Sequence, residues 1–175
     1  MLTHPEYADK PEGNGNVPVI DVGVAILREP VTGVTVMPLP PAGFLDELQA
    51  TGQLRDGSDR ARFTVVGYGA VLGDQPNHVL FPPDGLRRNT QSAYREFHER
   101  WLFLDSNGVF DLGGAGVGDS GGPALWIDPA TAAATLVAIT SRGNVAALDS
   151  KCRIDIPEVL DFLREVIERV EDGEL

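Results

Sequence analysis

Gly118-Asp119-Ser120-Gly121-Gly122-Pro123-Ala124-Leu125-Trp126-Ile127 is the stretch on which the reading of this chain turns. It sets a serine among glycines, which open the backbone to dihedrals closed to other residues and let a carbonyl approach two N–H groups. Pro123 brings no N–H, and Ala124 to Ile127 read as a strand, so the serine lies on a tight turn running into a strand. Such a turn can build an oxyanion hole. A serine hydroxyl is a weak nucleophile until a base takes its proton, so the motif calls for a histidine oriented by a third group.

Working outward, the chain is mainly β. Val19 to Leu27 is an apolar run broken only by Asp21 and Gly23, which predicts a buried strand, and Val34 to Met37 predicts a second. Pro38-Leu39-Pro40-Pro41 reads as a connector leading to a helical turn near Phe44 to Leu48. Phe63 to Val66 is a strand ending in the Gly67-Tyr68-Gly69 turn, and Arg87 to Leu104 is long strand material. Ala124 to Ile127, Thr135 to Thr140 and Lys151 to Ile154 complete a sandwich or barrel pattern. Val159, Leu160, Leu163, Val166, Ile167 and Val170 then recur at helical spacing, with Asp155 as the expected cap of an amphipathic C-terminal packing helix. A polar stretch near Thr51 to Asp59 suggests a boundary between residues 1–58 and residues 59–175.

The serine turn also satisfies Gly-x-Ser-x-Gly, the nucleophile elbow. That elbow runs into a helix and is followed by an acid and then a histidine, whereas here a strand follows and no histidine occurs after His98. The alternative order is histidine, aspartate, serine. Asp21 precedes Ser120 by 120 − 21 = 99 residues and sits inside an apolar run, where an ionised carboxylate needs a partner.

These features resemble the trypsin/chymotrypsin-like serine proteases, especially their secreted bacterial members. The resemblance runs from His4-Pro5-Glu6-Tyr7 through Asp21-Val22-Gly23-Val24-Ala25-Ile26-Leu27 and Val65-Val66-Gly67-Tyr68-Gly69 to the Gly-Asp-Ser-Gly-Gly-Pro segment and the final helix. It implies a double β-barrel with a complete C-terminal barrel in residues 59–175 and a partial N-terminal barrel plus connector in residues 1–58. It implies a serine endopeptidase acting on peptides or proteins, with neither metal nor cofactor. By similarity Ser120 is the nucleophile, Asp21 orients the histidine, and the N–H groups of Gly118 and Ser120 form the oxyanion hole. Asp119 corresponds to the carboxylate that shapes this hole by pairing with a newly cleaved N-terminus. Gly114 takes the base of the specificity pocket, where the lack of an acid argues against Lys or Arg substrates. Ile139, Thr140 and Ser141 resemble the strand that pairs with substrate backbone, and Arg142 lies near the pocket rim as a solvated surface residue. Gly116 stands where the family places a disulfide cysteine, and Cys152 reads as a small buried apolar residue.

The family's histidine precedes its aspartate by about forty-five residues, which puts the expected position before Met1. His4 reads as a solvated loop residue, while His78 in a polar turn and His98 on a strand match no triad position. The expectation is therefore a protease whose histidine and remaining N-terminal barrel lie upstream, so that the chain by itself is nearly inert. A non-catalytic peptide-binding module and an inactive truncated gene product are the alternatives.

Composition narrows the partners. A net charge of −12 argues against nucleic acid and anionic membranes. Residues 1–15 contain no apolar run of a signal peptide, although the family is typically secreted. No stretch approaches a membrane span.

Overall fold

The computed structural model describes residues 1–7, 20–55, 60–72, 80–106, 112–144 and 148–175. Its centre is a closed antiparallel barrel of six strands. In chain order the described elements are β1 (Leu2–Thr3), β2 (Gly23–Val24), α1 (Phe44–Ala50), β3 (Arg62–Gly67), β4 (Val71–Leu72) and β5 (Leu80–Phe81). They continue with β6 (Arg88–Phe97), β7 (Trp101–Asp105), β8 (Pro123–Ile127), β9 (Ala134–Asn144), β10 (Leu148–Arg153) and α2 (Pro157–Glu171). The barrel runs β10-β7-β6-β3-β8-β9 and closes where β9 pairs with β10.

Alternation of side chains along each strand decides which face is core. Phe63 and Val65 of β3, Leu102 and Leu104 of β7, and Ala124 and Trp126 of β8 point inward and meet Val137 of β9. Leu45, Leu48 and Leu54, from α1 and the turn after it, join the same cluster. A second cluster forms outside the barrel, where Ile20 and Val22 pack with Cys152, Ile154, Ile156 and Val159. Residues 20–22 are thereby fixed to β10 and to the start of α2.

Several elements differ from the sequence expectation. The expected strand from Val19 to Leu27 shrinks to Gly23–Val24, paired with Leu2–Thr3; Ile20 and Val22 are buried while Leu27 is exposed. Val19 lies outside the described residues. Val34 to Met37 is no strand, and Val34, Val36 and Met37 face solvent. Hydrophobic content called for strands here, but a strand needs a neighbour to take its N–H and C=O groups. Arg87 to Leu104 splits into two antiparallel strands, β6 and β7.

Asp155 is not the cap of α2. Ile156 holds the N-cap position with no side-chain bond, and Pro157 opens the helix. Asp155, fully buried, instead accepts the Leu45 N–H at 2.8 Å and two bonds of 2.9 Å from Arg153, while its carbonyl accepts the Gly43 N–H at 2.8 Å. Arg153 also reaches Asp46 at 2.6 Å. This cluster ties α1 to the end of β10.

Cys152 is buried, as its sequence context implies. Burial pushes its thiol pKa up to about 11, helped by the Asp21 charge and opposed by a bond from the Asp21 backbone and the charge of Arg100. A thiol reagent at pH 8 therefore leaves the folded protein unmodified and takes up one equivalent after denaturation. Rapid reaction in the native state contradicts this packing.

Candidate active site

Ser120 lies where the end of β3, the turn before β8 and the bulged middle of β9 come together. Gly118 at φ 98° and Gly121 at φ 82° bracket it, a conformation that L side chains rarely adopt. Gly122 N–H closes the turn onto the Asp119 carbonyl at 2.9 Å. The Thr140 carbonyl accepts the Gly121 N–H at 2.8 Å, and the Thr140 N–H returns a bond to the Gly122 carbonyl at 2.8 Å. Ser120 is exposed, and among the described residues nothing hydrogen-bonds its hydroxyl or takes the N–H of Gly118 or Ser120.

Asp119 is a brace of this turn. Its carboxylate accepts the Gly69 N–H at 2.6 Å and the Gly116 N–H at 2.7 Å. The Gly67-Tyr68-Gly69 segment is glycine-rich for that reason. A Cβ on Gly67 would lie 1.9 Å from the Asp119 Oδ1, and one on Gly116 would lie 2.2 Å from the Ala70 carbonyl oxygen. Position 116 thus has no room for any side chain. Gly67→Ala displaces the Asp119 carboxylate, with an expected loss of about 1–3 kcal/mol in urea unfolding and faster amide exchange at Gly69 and Gly116. Unchanged protection at both amides contradicts the brace.

Asp21 is joined to the turn through Ser141. The pairing of β9 with β10 steps from Thr140↔Lys151 to Arg142↔Ser150, so Ser141 is the extra residue of a β-bulge. The bulge aims its side chain out of the ladder, and Ser141 Oγ donates to Asp21 Oδ2 at 2.5 Å. Asp21 is held from behind by its buried neighbours Ile20 and Val22. A run of contacts therefore connects Ser120, through the Gly121 and Gly122 bonds to Thr140, with Ser141 and Asp21.

The other residues singled out by sequence fall around this centre. Ile139 pairs with Pro123 on one side and Cys152 on the other, and both backbone groups of Thr140 are engaged by the turn. Arg142 is exposed. Gly114 packs against the buried Asp149, whose Oδ2 would lie 2.5 Å from a Cβ at that position.

The described histidines lie elsewhere. His4 is not solvated: it is buried, with Nε2 at 3.2 Å from the Glu158 carbonyl, Nδ1 accepting the Glu6 N–H at 3.1 Å, and its ring edge-on to Phe162 of α2. Pro5 and Glu6 form the turn that folds it back against α2, a tertiary contact that local sequence does not announce. His98 is exposed beyond β6, beside Phe103 and 3.8 Å from Glu96. His78 lies outside the described residues. No group of three or more His, Cys, Asp or Glu among the described residues forms a metal cluster.

Sequence reading missed the Ser141 side chain as the partner of Asp21, and missed the buried pair of Lys151 and Asp149 altogether. The signal for the latter was present: an aspartate and a lysine two residues apart in a strand share one face. No protein-family model matches this chain, and no curated protein matches it.

Proposed function

We propose that the protein is a serine endopeptidase of chymotrypsin-like double-barrel architecture. The closed barrel is its C-terminal barrel, and residues 1–58 carry the connector and part of the N-terminal one. The observation that supports this most is the exposed Ser120 on a braced glycine turn, with two unengaged N–H groups beside it and Asp21 tied in through Ser141.

In the proposed reaction Ser120 Oγ attacks the carbonyl carbon of a peptide bond, and its proton passes to an imidazole base. The oxyanion is held by the N–H groups of Gly118 and Ser120. The C–N bond then breaks, the imidazolium returns the proton to the leaving amine, and an acyl ester remains on Ser120. Water, deprotonated by the same imidazole, cleaves the ester to a carboxylic acid and restores the hydroxyl. Asp21 orients that imidazole. By the resemblance, substrate backbone meets β9 at Ile139, Thr140 and Ser141, of which Ile139 and Thr140 have their backbones engaged within the fold.

His4 and His98 have other partners, and on the residue order of the resembled family the imidazole comes from polypeptide outside these 175 residues. That polypeptide completes the N-terminal barrel. Two features favour such a partner. Leu27, Val31, Val34 and Val36 are exposed in one segment without helix or strand, and β1 with β2 forms a two-stranded sheet of a kind marginally stable by itself.

The test compares hydrolysis of peptide amides by the protein isolated from its native cells with that by the 175-residue chain. Turnover by the native form and none by the chain is the expected result. If neither hydrolyses peptides and the chain binds them reversibly, the protein is a peptide-binding module. Absence of a cooperative melt marks an inactive truncated product. Full turnover by the chain that is lost on His78→Ala overturns the external base.

A further inference from the structure

A cleft of about 230 Å³ opens where α1 packs on the β8–β9 pair. It lies at the far end of that pair from Ser120: Pro123 beside the serine turn faces Ile139, whereas Trp126 at the cleft faces Thr135. Pro123 to Trp126 spans about 10 Å of strand. Phe44 and Leu48 of α1 and Trp126 of β8 give the cleft an apolar wall. Glu47 and Asp128 also line it, and among the described residues around it there is no Lys or Arg. The volume falls below the roughly 300 Å³ at which pockets for drug-sized molecules begin, so it suits one side chain and not a cofactor.

Three polar groups at the cleft are left unused by the fold. Trp126 is only 6% exposed and packs on Phe63 with the ring centroids 5.6 Å apart. A buried indole N–H, a donor only, ordinarily finds an acceptor. This one has none among the described residues. Arg100 Nε is the one side-chain nitrogen or oxygen among them that is fully enclosed without a partner, so the Trp126 N–H is open to solvent, and the solvent that Trp126 borders is the cleft. Asp128 Oδ1 accepts the Ala130 N–H at 2.7 Å and the Thr131 N–H at 3.2 Å, which shapes the turn after β8. Its Oδ2 has no partner among the described residues. The Glu47 carboxylate has none either, whereas that of adjacent Asp46 is taken by Arg153.

We propose that this cleft binds an arginine side chain of a peptide or protein partner. The methylenes lie against Phe44 and Leu48, the guanidinium meets Glu47 and Asp128, and a peptide carbonyl of the same partner accepts the Trp126 N–H. Arginine fits because its stem covers apolar surface while its head stays polar, and its planar fork matches carboxylates. An acidic side chain meets two like charges here, and a neutral apolar one desolvates both carboxylates without pairing them. The site is remote from Ser120 along β8, and the inference does not rest on the serine-protease reading.

The experiment uses isotopically labelled protein expressed in its native host and follows the indole N–H resonances of Trp126 and Trp101 by NMR. The probes are short acetylated, amidated Gly/Ala peptides with Arg, citrulline or Glu at the centre. The Arg peptide shifts the Trp126 resonance, leaves that of Trp101 in place, and binds at least about tenfold more tightly than the other two. Glu47→Gln and Asp128→Asn each weaken it about threefold, and together about tenfold. Asparagine still makes the turn that Asp128 makes, so the second variant removes charge alone. Agmatine, which has the guanidinium but no peptide carbonyl, binds at least about threefold more weakly than the Arg peptide. Equal binding by agmatine overturns the assignment to a peptide, and equal binding by the citrulline peptide overturns the role of the carboxylates. An unmoved Trp126 resonance with shifts on the acidic face of α2 instead marks general attraction to a negative surface and overturns the site. If a variant shows no cooperative melt, the ranking of the peptides on the wild-type protein decides.

Discussion

Replacing Ser120 with alanine lowers peptide turnover by the native-source protein about 10⁶-fold, because nucleophile and base act as a unit whose removal leaves only binding and the oxyanion hole. Stability barely changes in the same variant. Ser120 is exposed and its hydroxyl has no hydrogen-bond partner among the described residues, so nothing buried is left unsatisfied. The unfolding free energy shifts by less than about 0.5 kcal/mol. Kinetics and urea unfolding on one preparation separate these effects. A large loss of stability would show that Ser120 serves the turn and not the chemistry.

Asp155→Ala has the opposite signature. Asp155 answers Arg153, which is itself only 2% exposed, and it also accepts the Leu45 N–H. Burial disfavours the Arg153 charge, while hydrogen bonds and charge from Asp155, then Asp46, more than compensate and raise its pKa. Without Asp155, Arg153 keeps the exposed Asp46, the His98 carbonyl and the face of the Phe97 ring. Breaking such a buried pair from one side costs about 3–5 kcal/mol, a large share of the ~5–15 kcal/mol that holds a domain folded. Urea unfolding measures it. A change below about 1 kcal/mol contradicts the cluster as the tie between α1 and β10.

How much of this was legible in the sequence follows from where each signal lies. The barrel strands carry a local one, since Phe63 and Val65, or Leu102 and Leu104, alternate whatever their partners are. The final helix likewise declares itself by spacing. The segment from Val34 to Met37 has β-rich composition and no strand, because composition reports hydrophobicity and not the presence of a pairing neighbour. Asp155 reads as a cap by its distance from Glu158, yet its carboxylate is drawn to Arg153 and Leu45, partners supplied by tertiary packing.

The site divides in the same way. The glycines around Ser120 are visible because their special backbone is encoded where it is needed. The role of Ser141 depends on a bulge between β9 and β10, and the burial of Asp149 depends on which face of β10 meets Gly114. Neither is written in local sequence. The same holds for His4, whose place beneath α2 is set by residues more than 150 positions away.

The most direct test of the central claim is covalent modification of the native-source protein by diisopropyl fluorophosphate, mapped by peptide mass spectrometry. The account predicts one adduct, on Ser120, that disappears in Ser120→Ala. An intact, folded protein whose Ser120 remains unmodified, or whose adduct falls on another residue, would contradict it.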